Sequence, residues 1–201
     1  MAINAAEEES LEALKKWWEE NGKQLLTMVI VVFALGTSWL LWQNSQIAAA
    51  DAASDIYEEI LTLAVAEPGT EVSAENGAQI LDLGNQLRAD HSGTVYALFG
   101  SLFSAQQQVR TDDLAAAEES LQWILDNQKD GMFDKTDEGL ILTASLRLGR
   151  VILAQGDAER ALSLINNLDP KTFEPGFAEL RGDVYLAMGR LVDAREAYQA
   201  A

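Results

Sequence analysis

Hydrophobic and polar residues are divided unevenly along this chain, with one long apolar run close to the N-terminus. The run Leu25–Trp42 is 18 residues long and contains no charged residue. As an α-helix it would span roughly 27 Å, close to the bilayer's hydrocarbon thickness of roughly 30 Å. The pattern predicts a single transmembrane helix over residues 25–43, preceded by a segment, 1–24, that contains a short amphipathic helix at 8–20.

After the run, apolar residues recur at helical spacing, and polar turns separate one periodic segment from the next. Ala, Leu and Glu are the most frequent residues, and the alternation typical of strands is scarce, so the sequence favours helices throughout. The transmembrane helix is expected to continue to a turn at 67–69. Further helices are predicted at 73–89, 95–109, 114–127, 137–154, 158–168, 177–188 and from 191 onward.

The last two helix pairs repeat a pattern of small residues. Gly149, Gly156 and Ala161 recur 33 residues later as Gly182, Gly189 and Ala194. Glycine and alanine at these positions allow the paired helices to cross closely, and Gly156 and Gly189 suit the turn between them. The pattern follows the tetratricopeptide repeat of about 34 residues. We therefore predict an all-α protein whose residues 44–201 form a tetratricopeptide-like α-solenoid, with a weaker unit at 95–127.

The residues that flank the apolar run indicate its direction across a membrane. They are Lys15, Lys16 and Lys23 before the run, and Trp39 and Trp42 at its far end. Basic residues mark the cytoplasmic side, and tryptophans favour the membrane interface. This predicts a cytoplasmic segment 1–24 and a domain, 44–201, on the outer side of the membrane. An alternative is a cleaved signal peptide, because Ala48–Ala50 resembles a cleavage site.

The composition limits the partners and the chemistry of the outer domain. The chain has a formal net charge of −18 and no Cys. Residues 44–201 hold 11 basic and 26 acidic residues, a charge of −15 that repels nucleic acid and anionic lipid. Without Cys, neither a disulfide nor thiol chemistry is available.

In a solenoid of this type the first helix of each pair lines the concave face, where partners usually bind. The predicted partner-binding residues on this face are Phe99, Leu102, Val109, Leu146, Arg150, Leu153 and Leu186. Such an apolar face suits a partner helix or an unfolded apolar segment. The alternative, that the leucines of this face pack between repeats, is left open.

The sequence contains no constellation that would support catalysis. His91, the single histidine, lies in a Ser/Gly turn, and no phosphate-binding loop, nucleophile elbow or zinc-binding helix motif occurs. Asp112 and Asp113 are expected to be first-turn charges of a helix, and Trp123 and Phe133 to pack in the core. We therefore predict a protein that is not an enzyme and that has no catalytic, cofactor-binding or metal-binding residues.

The chain as a whole resembles one family, the YfgM-type ancillary subunit of the bacterial Sec translocon. The resemblance rests on Glu20-Asn21-Gly22-Lys23 before the span, on the order of the parts, and on Leu180-Arg181-Gly182-Asp183 in the last repeat. It implies an inner-membrane protein, single-pass, with a periplasmic repeat domain. The partners it implies are the translocon channel subunits, a membrane-anchored parvulin-like chaperone and unfolded secreted proteins.

The resemblance therefore implies a non-enzymatic, membrane-anchored adaptor that links the channel to periplasmic chaperones and emerging secreted proteins. The alternative function is a cleaved periplasmic tetratricopeptide scaffold that serves cell-envelope assembly. Relatives in this family continue beyond the last repeat, whereas this sequence ends at Ala201 inside the predicted final helix.

Overall fold

The computed structural model describes residues 2–65, 71–131 and 134–201. In these ranges the regular secondary structure is helical, with one isolated bridge between Asp130 and Lys135, so the all-α prediction is confirmed. The predicted turn at 67–69 and Phe133 lie outside the described residues. The helices are α1 Ala2–Ala64, α2 Ala74–Asp90, α3 Val95–Arg110, α4 Leu114–Asp126, α5 Glu138–Ala154, α6 Ala158–Asn166, α7 Glu174–Ala187 and α8 Leu191–Gln199.

The chain divides into two compact units, residues 1–48 and residues 49–201. The first unit contains the apolar run, whose 18-residue window has a mean hydropathy of 2.1 and is not buried at all. By length and composition this is the one helix in the described part of the chain that could cross a membrane. Helix α1 is continuous, so the predicted short helix at 8–20 is not a separate element.

Helix α1 continues through Asn21 and Gly22, where a glycine normally weakens a helix by about 1 kcal/mol. Gly22 is buried, and the indole ring of Trp18 lies over it, 3.1 Å from the position that a Cβ would occupy. Asn21 Nδ2 also donates a hydrogen bond to the carbonyl of Trp17, at 3.1 Å. Helix α1 therefore passes through Asn21 and Gly22 without a break.

In the second unit the helices form a series of pairs. Helix α3 pairs with α4, α5 with α6, and α7 with α8. The part of α1 after residue 48 packs with α2 through an apolar cluster and a hydrogen bond from Asn76 Nδ2 to Leu63 O at 3.4 Å. From α2 onward each helix contacts the next one along the chain, and the first helices α3, α5 and α7 also contact one another in order. Contact between equivalent helices of neighbouring pairs is the signature of a solenoid, as predicted.

Two apolar clusters form the core of this unit. The larger runs from α3 to α7 and includes Leu121, Leu148 and Phe177, each no more than 1% exposed. The smaller joins the end of α1, through Ala53 and Ile60, to α2 and α3. A single pair of helices cannot bury its apolar face alone, so the stacking of consecutive pairs forms the core.

The turns inside the pairs share one backbone geometry. Gly156 and Gly189 have φ of +90° and +74°, and the same left-handed conformation occurs at Asp112, with φ of +60°. At each turn the amide two residues beyond the helix cap bonds back to the last helical turn, for example Asp113 N to Gln108 O at 2.8 Å. Asp112 thus takes the place of the turn glycine, rather than being a first-turn charge, and Asp113 is the N-cap of α4.

The glycines inside helices lie where a neighbouring helix comes close. A Cβ on Gly149 would be 2.7 Å from Cδ2 of Leu180 on α7, and one on Gly182 would be 2.5 Å from the ring of Tyr198 on α8. Ala161 and Ala194, on the second helix of each pair, are buried at 0% and 3% exposure. Small side chains at these positions set the spacing between helices that stacking requires.

Candidate partner-binding groove

The structure separates the predicted partner-binding residues into three groups. Leu102 is only 7% exposed and belongs to the core, which corrects its assignment to the binding face. Phe99, Leu146 and Leu153 are half-buried and pack against the same core while keeping one side in solvent. The exposed members are Val109, Arg150 and Leu186.

Val109 and Arg150 are brought together although 41 residues separate them in sequence. They line a groove of about 300 Å³ between α3 and α5, with α4 at its floor. The apolar lining comes from the C-terminal halves of α3 and α5, where small and β-branched side chains leave space between the helices. The apolar residues are Ala105 and Val109 on α3, Leu114 and Leu121 on α4, and Val151 and Ala154 on α5.

Three arginines surround this apolar lining, namely Arg110 from α3 and Arg147 and Arg150 from α5, while no acidic side chain of the described residues contributes to it. Arg110 pairs with Glu71 at 3.2 Å, and Arg150 pairs with Glu179 of α7 at 3.0 Å. Glu71 is 91% exposed and Glu179 57%, so both ion pairs are weak and open to exchange. The groove is therefore a basic site on a strongly acidic domain.

Arg147 differs from its two neighbours because no carboxylate within the described residues forms an ion pair with it. Its side chain reaches solvent along one side, while the protein around the guanidinium removes part of its hydration. This desolvation, and then the positive charge of Arg150, lower the pKa of Arg147. Arginine remains charged in proteins nonetheless, so the groove holds a cation that no described carboxylate neutralises through an ion pair.

Sequence reasoning missed Arg110 and Arg147 as groove residues. One available indication was the spacing of Arg147 and Arg150, since residues three apart share a helix face. Two like charges at that spacing are unfavourable unless something else compensates for them. In a chain with 32 acidic and 14 basic residues, such a pair is an unusual feature.

Two ion pairs outside the groove join the second helices of consecutive helix pairs. Arg88 of α2 contacts Glu119 of α4 at 3.4 Å, and Arg160 of α6 contacts Glu118 of α4 at 2.9 Å. The guanidinium of Arg88 also lies 5.1 Å from the ring centroid of Trp123, which packs against both core clusters. These contacts join second helices of neighbouring pairs, and none of their residues lines the groove between the first helices.

The described residues contain no group of three or more His, Cys, Asp or Glu side chains that could hold a metal ion. His91 caps the end of α2, where its amide donates to Leu87 O at 3.0 Å and its carbonyl accepts from Thr94 N at 2.9 Å. It is half-buried rather than fully solvated. The groove offers apolar surface and fixed positive charge, which are features that suit the binding of a partner.

The fold agrees with the family comparison. The model of the tetratricopeptide repeat-like domain matches residues 15–201, so that it includes the apolar helix as well as the repeats. No solved structure matches the chain at a significant level.

Relatives that align with this chain along its whole length share one name. The ancillary SecYEG translocon subunit of Haemophilus influenzae is 30% identical over 100% of this chain and 91% of its own length. The protein of that name from Escherichia coli K12 is 32% identical over 100% of this chain and 89% of its own length. These relatives, together with the long apolar helix near the N-terminus of this chain, fit a single-pass inner-membrane protein. The chain belongs to the tetratricopeptide repeat-like domain family and, within it, to the ancillary SecYEG translocon subunits.

Proposed function

We propose that this protein is a non-enzymatic adaptor of the Sec translocon, anchored by α1 with its N-terminus in the cytoplasm and residues 44–201 in the periplasm. In this role the repeat domain links the channel to a membrane-anchored, parvulin-like chaperone and to secreted chains as they emerge. The observation that carries the proposal is the alignment of translocon subunits along the whole chain, anchor and repeats together.

The mechanism we propose is tethering. The anchor confines the repeat domain to the membrane that contains the channel, which raises its effective concentration near the exit. Binding sites that are individually weak then suffice, because the second contact is made within one assembly. The groove between α3 and α5 and the exposed Leu186 offer apolar surface for such contacts.

Photo-crosslinking in cells tests the partners. A photoreactive amino acid at Val109 or Leu186, both exposed, is expected to trap a channel subunit or the chaperone. The same amino acid at Glu159, exposed on the second helix α6, serves as the control and should give weaker products. If only unrelated envelope proteins are trapped from Val109 and Leu186, the adaptor role is wrong.

Labelling of single cysteines tests the orientation, since the chain has no Cys of its own. Ser163→Cys on α6 should react with a membrane-impermeant maleimide in spheroplasts. Glu12→Cys near the N-terminus should react only after detergent is added. The reverse pattern would contradict the orientation, and a purified chain that begins near Asp51 would instead favour the cleaved periplasmic scaffold.

A further inference from the structure

The groove between α3 and α5 combines two features that together specify a ligand. Its lining is apolar, from Val109, Val151 and Ala154 among others, and its basic groups are all arginines. Guanidinium groups bind carboxylates through paired, charge-assisted hydrogen bonds, whereas apolar walls favour aliphatic or aromatic side chains. The surrounding domain is acidic, so a basic site in it is not explained by general solubility.

The arginines are available to a ligand to different degrees. Arg147 has no ion-pair partner among the described residues, although eight of the eleven basic residues after the apolar run do have one. Arg110 and Arg150 hold exposed glutamates that an incoming carboxylate can replace. A ligand carboxylate therefore gains a counter-charge at Arg147 and displaces only weak contacts at the other two positions.

The length of the groove indicates more than one anchoring point. The part of α5 that lines it runs from Arg147 to Ala154, which is about 10 Å at 1.5 Å per residue. Arg147 and Arg150 lie on this wall, and Arg110 lies on the facing wall. A single terminal carboxylate would satisfy one of these positions, whereas an internal segment with two acidic residues reaches two or more.

We propose that this groove binds an internal segment of a partner protein in which acidic side chains alternate with bulky apolar ones. The carboxylates pair with Arg147 and Arg150, and the apolar side chains enter the space between Val109 and Val151. This inference deepens the adaptor function proposed above, because it defines the chemistry of the segment that the repeat domain captures.

The test uses the full chain in nanodiscs of uncharged phosphatidylcholine and three labelled nine-residue peptides. The first is capped at both ends and alternates glutamate with leucine and phenylalanine. The second carries glutamine in place of glutamate. The third is the glutamine peptide with a free C-terminal carboxylate. Fluorescence anisotropy should show the first peptide binding at least about tenfold more tightly than the second, with an affinity that falls as salt rises.

Variants connect this binding to the groove. Arg147→Gln and Arg150→Gln are each expected to weaken the glutamate peptide about tenfold and to leave the glutamine peptide unchanged. Arg195→Gln on α8, also an exposed arginine without an ion pair within the described residues, is the matched control and should have no effect. Far-UV circular dichroism of each variant confirms that the fold is intact.

Three results would overturn the inference. They are equal binding of the glutamate and glutamine peptides, unchanged binding in both arginine variants, and tightest binding of the peptide with the free C-terminus. Peptide binding without translocon crosslinks would refute the adaptor function but not the groove's specificity. Crosslinks without peptide binding would refute the groove's specificity alone.

Discussion

Replacement of Phe177 by alanine is expected to lower the free energy of unfolding of the repeat domain by about 3–5 kcal/mol. Phe177 is 1% exposed on α7 and belongs to the larger core cluster, which joins α3 through α7. Its removal leaves a cavity that the neighbouring helices cannot close, since Gly149 and Leu180 already bring α5 and α7 together. Urea unfolding of the full chain in mild detergent, followed by circular dichroism, measures the change.

The loss of stability caused by Phe177→Ala should be largest in the helix pairs near residue 177, because each pair of a solenoid is stabilised mainly by its neighbours. Amide hydrogen exchange is expected to accelerate in α5 to α8 and to change little in α2. Leu191→Ala is the control, since Leu191 is 66% exposed and its loss should change stability by no more than about 0.5 kcal/mol. Equal unfolding free energies for the two variants would show that Phe177 is not part of a packed core.

Two arginines placed in the middle of the apolar run, Val32→Arg with Leu35→Arg, are expected to prevent stable insertion of the anchor. Each arginine near the centre of a transmembrane helix costs about 2.5–3.5 kcal/mol on the insertion scale. Together they make insertion less favourable by about 5–7 kcal/mol, which exceeds what the side chains recover by reaching toward the interface. Alkaline carbonate extraction of membranes should release the double variant and retain the unmodified chain.

The matched control exchanges the same two positions without adding charge, Val32→Leu with Leu35→Val, and should remain in the membrane pellet. Both side chains are more than 60% exposed, so neither exchange disturbs protein packing. If the double arginine variant stays in the pellet, the run is not the membrane-spanning segment. If the released variant also loses its crosslinks to the channel, the anchor is required for the adaptor function.

The sequence predicted the helices well because their ends are set by neighbouring residues. Ser73, Thr94, Asp113, Asp137 and Asp157 each precede a helix and accept a hydrogen bond from the amide three residues later. Such caps depend on side chains near one another in sequence. The turn glycines follow the same rule, whereas Asp112 in the glycine position shows that the turn geometry can also be imposed on another residue.

The short amphipathic helix predicted at 8–20 is part of a longer element, because α1 continues without interruption into the apolar run. Gly22 lies within this helix, and the ring of Trp18 lies over it, 3.1 Å from the position that a Cβ would occupy. The amphipathic pattern predicted that residues 8–20 are helical, but it did not show whether the helix continues beyond them.

The partner-binding face was harder to predict. The helical period placed Leu102 on the same face as Val109, yet the structure buries Leu102 in the core and leaves Val109 at 45% exposure. The difference arises because Leu102 packs in the larger core cluster with residues of α4 and α5, whereas Val109, two turns further along α3, lines the open groove. The helical period of apolar residues defines the direction in which a side chain points from its own helix. It does not define which neighbouring helix, if any, packs against that side chain.

The sequence by itself determined the uncharged apolar run, the helical periodicity and the small residues repeated at an offset of 33 positions, since each is a regularity along the chain. Only the tertiary structure decided that Arg110 and Arg147 join Val109 and Arg150 in one groove, and that Phe177 is the largest fully buried side chain among the described residues. It also decided that Arg147 forms no ion pair with a carboxylate of the described residues, whereas Arg150, one turn away, pairs with Glu179. The physical reason is that burial and charge pairing depend on how helices distant in sequence cross, which local pattern does not fix.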